Sequence, residues 1–354
     1  MMTHFFIAAA AVLLGSTGWF LYWKRHASKF SQSGYVPPAS SWFSEFAACG
    51  FVRLLTSLTV GKVKVYGKEK APRHGRVIFA ANHQLPCDFA MLRLGAGRHL
   101  RMLTDSGQLK GIFGVLAALG GVISVNTKQE CGGAAAERGC SKAVADKSFR
   151  IGFGLACVLW MLALAGFVFS LSAGSSLGAI AAVLAFLVVG SFPGSEPSLG
   201  IFPQGGLLPD DFDLKEHFRP GAIRVARESM ELSGEPIKIV PVAIHYRWDP
   251  KFAGWTHRYL KGLRSMFGAL RNPRYWNPIF KLKLDELSPE ERTRVEQARE
   301  QLLREFAKSK VTNYGGVVMV GDAIDASTLP QDPIEAIAVI KQEVRKLLEE
   351  AKKR

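Results

Sequence analysis

The stretch ANHQLPCDF, residues 81–89, stands where a short apolar run, Val77 to Ala81, gives way to turn-forming residues. Continuous apolar runs bounded by turn signals suit strands covered on both faces, the usual situation in a parallel sheet. Pro86 fits the first turn of a helix, predicted from about Cys87 to Leu94, so the chain is expected to bend sharply between strand and helix. That bend would return the Asp88 carboxylate to the His83 imidazole. A carboxylate on one ring nitrogen fixes the tautomer and supports positive charge, which leaves the other nitrogen free as a general base. Spacing alone does not separate such a pair from a structural histidine that happens to share a loop with an aspartate.

Outward from this turn the chain alternates. Lys62 to Tyr66 has the pattern of a strand with one covered face, and short apolar runs recur at Gly121 to Val125, Leu199 to Phe202, Ile237 to Ile244 and Val317 to Val320. Helical stretches such as Gln108 to Leu119 and Pro220 to Glu228 separate them. The alternation predicts an α/β fold with a mostly parallel central sheet flanked by helices. Phe43, Phe46, Ala47, Gly50, Phe51, Leu54, Leu55 and Leu58 recur at helical spacing, an amphipathic helix suited to the core or to a membrane surface. Ser288, Pro289 and Glu291 form a capping box that starts a helix to about Ala307, and Asp332 with Pro333 starts another.

The 354 residues, 48% of them hydrophobic, can build a sizeable core, and the net charge of +15 calls for something acidic: nucleic acid, an anionic membrane or an acidic carrier protein. Five cysteines, with no C-x-x-C pair and no closely spaced histidines, predict reduced thiols rather than a zinc site or a disulfide framework. Phe5 to Trp23 are nineteen uncharged, mostly apolar residues followed by Lys24, Arg25 and Lys29. This predicts a transmembrane helix with the rest of the chain on the cytoplasmic side. Ile151 to Ser195 contain no charge at all and divide into two apolar halves around Gly174, Ser175 and Ser176, predicting a hairpin that dips into or crosses the bilayer. Lys251 to Leu284 carry eight Lys or Arg and no acid, interleaved with aromatics such as Trp255, Tyr259 and Trp276. Beside two membrane signals this segment reads as lying at the headgroup level rather than on nucleic acid.

NHQLPCD, residues 82–88, resembles the N-H-x-x-x-x-D motif of the 1-acyl-glycerol-3-phosphate acyltransferases and related glycerolipid acyltransferases. Three more blocks resemble that family's in order: GGVISVNT (120–127), IFPQGG (201–206) and VPVAI (240–244). FRPGAIRVA (218–226) and VVMVGDAI (317–324) are similar to its later helix and strand. The resemblance covers about residues 42–250 and implies a membrane-bound O-acyltransferase. His83, oriented by Asp88, takes the proton of a lipid hydroxyl, which attacks the thioester of acyl-CoA or acyl-carrier protein, with no metal, cofactor or covalent intermediate. Asn82, Thr127, Lys128, Phe202, Pro203, Gln204, Gly205 and Gly206 are the expected substrate-binding residues. Main-chain N–H groups near Gly205 and Gly206 are candidate oxyanion donors. Cys87 offers a rival acyl-cysteine route, and an inactive lipid-binding scaffold of the same fold is the alternative to an enzyme.

Two departures bear on the acceptor. The second block has Thr127 and Lys128, and the third Gln204 and Leu207, where the family carries basic residues associated with phosphate and an acidic residue. A lysine supplies a point charge rather than the planar fork of a guanidinium. Neutral lipid alcohols therefore stand beside lysophosphatidate as acceptors. The expected organisation is an anchor over 1–30, a first acyltransferase segment over 40–150, the membrane hairpin over 151–195, a second segment over 196–330 containing the basic stretch 251–284, and a terminal helix over 331–354. The expected partners are the acyl donor, a lipid acceptor and an anionic membrane surface, with no nucleic acid.

Overall fold

The structure, a computed structural model, describes residues 17–38, 41–84, 88–126, 132–148, 153–191, 194, 197–205, 218–247, 278–280, 282–308 and 315–354. In chain order its elements are α1 (17–27), α2 (Trp42–Thr59), β1 (Val63–Tyr66), β2 (Arg76–Ala81), α3 (Asp88–Ala96), β3 (Arg101–Asp105), α4 (Gly111–Leu119), β4 (Ile123–Val125), α5 (Gly132–Val144), α6 (Phe153–Ser172) and α7 (Ser176–Ser191). There follow β5 (Ser198–Ile201), α8 (Gly221–Ser233), β6 (Ile237–Arg247), α9 (Pro289–Lys308), β7 (Gly315–Val320), β8 (Ile324–Asp325) and α10 (Pro333–Lys353). They form two compact units, one from Met1–Cys49 and Arg101–Pro197, the other from Gly50–Leu100 and Ser198–Arg354.

The second unit holds a sheet in the order β1-β7-β6-β2-β5, with β8 antiparallel on β6. β2 runs parallel to both neighbours, Val77 standing opposite Ser198 and Lys238, and only β6 and β7 pair antiparallel among the longer strands. All six β2 residues are buried, as the continuous apolar run predicts. Helices cover both faces. Leu347, Leu348 and Ala351 of α10 pack on Ala243, Val317 and Met319. On the other face, reached by the alternate residues of β7, α3 comes so close that a methyl group on Gly95 would sit 2.6 Å from Val318. The capping box forms, with Ser288 N–H donating to Glu291 at 3.0 Å and Glu291 N–H to Ser288 Oγ at 3.3 Å.

The first unit contains the parallel pair β3 and β4, with α4 between them in sequence. Trp23 and Phe30 are buried with Leu109, Val115, Ala118 and Leu119. The expected anchor over 1–30 is described only from residue 17 on. The Trp23 side chain of the predicted 5–23 span packs on protein, and residues 1–16 lie outside the described residues. Among the described residues, no helix is long and apolar enough to cross a membrane. The predicted hairpin does form, as α6 and α7. Small residues line its seam: a methyl group on Gly178 would sit 2.4 Å from Ser170 Oγ, and one on Gly166 would sit 3.9 Å from Ala182 Cβ. Its outer surface is apolar and open, with Met161 71%, Phe169 73% and Leu177 80% exposed. α7, at 16 residues, reaches about 24 Å, short of the roughly 30 Å of a hydrocarbon core. The predicted basic and aromatic face around Tyr259 to Arg271 lies outside the described residues.

Candidate active site

The site is assembled wholly within the second unit. At the end of β2 the ladder stops, and Asn82, 1% exposed, takes over with its side chain. Its Nδ2 donates to Ile244 O at 2.9 Å, and its Oδ1 accepts from Ile244 N–H at 2.7 Å. An amide carries one donor and one acceptor in the arrangement of a peptide unit, so Asn82 mimics one more ladder residue while its main chain turns away. His83 is thereby presented just beyond the strand end.

The His83 ring is held from three sides. Its Nδ1 lies 2.9 Å from Asp88 Oδ2. The Phe202 ring stacks on it, centroids 4.1 Å apart and planes 12° apart. Its main-chain N–H donates to Gln204 Oε1 at 2.5 Å. Asp88 is fully buried as the first residue of α3, and its carboxylate also accepts from Gln84 N–H and from the Tyr246 hydroxyl. With acceptors on Asp88 facing Nδ1, that nitrogen carries the proton and Nε2 offers a lone pair. The imidazole remains 20% exposed.

Gln204 fills its place with a neutral amide that still supplies an acceptor, 4% exposed. Gly205 has φ of +67°, and its N–H donates to Phe202 O at 3.0 Å, closing a tight turn. That bond occupies one of the donors which the sequence put forward for an oxyanion, the other, at Gly206, lying outside the described residues. Pro203 O accepts from Arg219 N–H at 2.8 Å. A methyl group on Gly205 would lie 3.1–3.3 Å from three atoms of the Arg219 guanidinium group, so this guanidinium rests on the glycine turn. Of the expected site residues, Asn82, His83, Asp88, Phe202, Pro203, Gln204 and Gly205 are brought together. Thr127, Lys128 and Gly206 lie outside the described residues, as does Cys87.

Three groups had no part in the expected site: Gln84, Tyr246 and Arg219. Tyr246 lies two residues past the predicted end of its strand, and a buried phenol needs a hydrogen-bond partner, which is the signal that would have found it. Gln84 is 8% exposed and its Nε2 is buried without a hydrogen-bond partner among the described residues. An amide left so costs about 1–3 kcal/mol unless a ligand or water satisfies it. Among the described residues no cluster of three or more His, Cys, Asp or Glu is arranged to hold a metal ion.

A family model described as Acyltransferase matches residues 62–245, more than half of the 354-residue chain. The structure is similar to the crystal structure of the 1-acyl-sn-glycerophosphate (LPA) acyltransferase, PlsC, from Thermotoga maritima. The two share 15% sequence identity over 87% of this chain and 80% of that one, with a TM-score of 0.43. No curated protein is a significant match to the sequence.

Proposed function

The chain belongs to the acyltransferase family, and from that premise we propose that it moves a fatty acyl group from the thioester of acyl-CoA or acyl-carrier protein to a hydroxyl of a lipid acceptor, lysophosphatidate or another lysolipid. The observation that carries this reading is the His83 Nδ1 to Asp88 Oδ2 contact of 2.9 Å, made to a carboxylate with no exposure. A histidine tied to such a partner through Nδ1 has Nε2 left for chemistry, and Phe202 stacked on its face limits where the ring can point.

The reaction balances without any further reagent. Nε2 takes the acceptor's hydroxyl proton as its oxygen bonds to the thioester carbonyl carbon. The tetrahedral species then expels sulfur, and the imidazolium returns the proton to the departing thiolate. The buried Asp88 supports the transient charge on the ring. We assign the Gln84 amide, adjacent to His83 in the chain and without a hydrogen-bond partner among the described residues, as a donor to the developing oxyanion. The exposed apolar surface of the α6–α7 hairpin supports a monotopic seat in one leaflet, where the acceptor resides. The cations after residue 23 and the net charge of +15 support a seat on the cytoplasmic face.

Purified protein incubated with radiolabelled acyl-CoA and mixed micelles of lysolipids tests the reading. Transfer is expected for the wild type, and His83→Ala is expected to lower it by about 10²–10⁴-fold. A variant that folds and keeps wild-type turnover would remove His83 from the reaction.

A further inference from the structure

We infer that Gln204 is a positioning residue that sets the pH range over which His83 works. It fills the acceptor place beside the His83 main chain with an amide that carries no charge, so Nε2 stays open to a hydroxyl proton at lower pH than a carboxylate at that place would allow. This rests on the transferase reading and adds to it the regulation of its base.

The chain leaving β2 presents two successive main-chain donors, the N–H groups of His83 and Gln84, and side chains take both. Gln84 N–H donates to Asp88 Oδ2 at 2.5 Å, and His83 N–H donates to Gln204 Oε1 at 2.5 Å. Successive donors of this kind attract anions, yet only one of the two acceptors here is an anion. Gln204 is 4% exposed and Asp88 has no exposure, so an added charge at 204 would be little screened by water. Two carboxylates on neighbouring N–H groups would repel each other, and the site would answer by holding a proton. The imidazole is the base in place to hold it, since its Nδ1 already lies 2.9 Å from Asp88 Oδ2.

The ring is kept within reach of position 204. Phe202, stacked on it with centroids 4.1 Å apart, stands two residues before Gln204 in the same turn. Because Oε1 of Gln204 is bonded to the main chain of His83 itself, it lies within about 6 Å of the ring, a range in which a charge moves a titration by about 1–3 units. The other polar groups around the ring leave the charge count as it is. Asp88, from α3, is the one carboxylate in contact with His83 among the described residues. The Tyr246 hydroxyl, from β6, donates to Asp88, and the Arg219 guanidinium, from the start of α8, rests on Gly205 at the other end of the turn. One carboxylate orients the ring and supports the charge it carries briefly during transfer. A second would stabilise the protonated ring before any acceptor arrives, and a protonated Nε2 takes no proton from a hydroxyl.

The test reads His83 in two ways, using wild type, Gln204→Glu and Gln204→Leu in the full-length protein. The first is the acid limb of kcat/KM for acyl transfer, which reports the base of the free enzyme. The second is modification by diethylpyrocarbonate, which the unprotonated imidazole alone undergoes. His83 is the sole histidine between Arg76 and Arg93, so one tryptic peptide reports on it. In Q204E both midpoints should move to higher pH by about one unit, the low end of the range because the ring is 20% exposed. Q204L removes the acceptor without adding charge, and should lower kcat at every pH while leaving both midpoints within about 0.3 units of wild type. Unmoved midpoints in Q204E overturn the inference, and so does an equal movement in Q204L, which marks displaced packing rather than charge. Modification needs no acyl transfer. A moved modification midpoint in Q204E supports the role of Gln204 even if the wild type transfers nothing, and an unmoved one overturns that role while leaving the transferase reading intact. If Q204E loses its fold at pH 8, repulsion between two carboxylates requires the fold to return toward pH 5, where the pair takes up a proton; a loss that pH does not change overturns the inference.

Discussion

Tyr246→Phe removes one oxygen from the interior and nothing else, and the outcome follows from where that oxygen points. The Tyr246 side chain is 1% exposed, and its hydroxyl donates to Oδ1 of Asp88, the carboxylate that orients His83. Asp88 has no exposure, so water cannot take the hydroxyl's place without rearrangement. A hydrogen bond to a charged group contributes about 1.5–3 kcal/mol, and a phenylalanine ring fills the same space apart from the lost oxygen. For a unit of this size each kcal/mol moves the melting temperature by about 2–4 °C, so Y246F should melt roughly 3–12 °C below the wild type. Asp88 would keep its bonds from His83 and Gln84 but lose the one that fixes its far oxygen, and the imidazole would gain freedom to shift. A displacement near 1 Å at a reacting group costs up to about 10²-fold in rate, so kcat should fall by about ten- to a hundredfold with little change in KM. Differential scanning fluorimetry and steady-state acyl transfer read the two effects. A melting temperature within 1 °C of wild type together with unchanged kcat would refute the role given to this hydroxyl.

Gly205→Ala places a Cβ at φ of +67° and 3.1 Å from the Arg219 guanidinium. It should cost about 1–2 kcal/mol, read as a lower melting temperature. Burial raises the Cys140 thiol to about 12, so peptide mapping after native alkylation at pH 8 should leave it unmodified, while unfolding exposes it. Replacing Met161, Leu164 and Phe169 by aspartate should cut sedimentation with anionic vesicles at least tenfold while leaving the melting of the catalytic unit unchanged, because these side chains face outward. His26 is held below its ordinary value by burial, with Lys29 and Arg25 adding to the effect. Its neutral form therefore belongs to the folded state, and stability should fall as pH drops from 7 toward 5. His26→Gln should flatten part of that fall in thermal scans, the sign being that of a group which binds more protons unfolded.

Strands were legible wherever burial on both faces produced an unbroken apolar run, as at Val77–Ala81 and Val317–Val320, because tertiary burial there leaves a mark in composition. Helix starts were legible from side chains that serve the backbone directly: Ser288 with Glu291, and Asp332, whose carboxylate accepts from Ile334 N–H at 3.2 Å. What escaped notice depends on contacts between distant positions. α5 buries a face of mostly small residues, Ala136, Cys140, Ala143 and Val144, and it comes close to main chain, a methyl group on Gly139 falling within 2.4 Å of Gly34 O. β3 begins with a charge, and Arg101 can be buried there because its guanidinium donates to Pro37 O at 2.9 Å. The pairing of His83 with Asp88 was local and readable. The Tyr246 hydroxyl behind it, 158 residues further on, and the Arg219 guanidinium laid on Gly205 were not.

The pairing of β1 with β7 carries a consequence for synthesis on the ribosome. Val63 to Tyr66 leave the exit tunnel long before Gly316 to Met319, with which they are in register, and β2 waits likewise for β5 and β6. At about 5–20 residues per second, the interval between the first pair is on the order of 12–50 s. Throughout it, adhesive edges stand open, and for the latter half the oily hairpin between them has emerged as well. A nascent chain that docks this hairpin on lipid early would be shielded from sticking to its neighbours until its last long strand arrives.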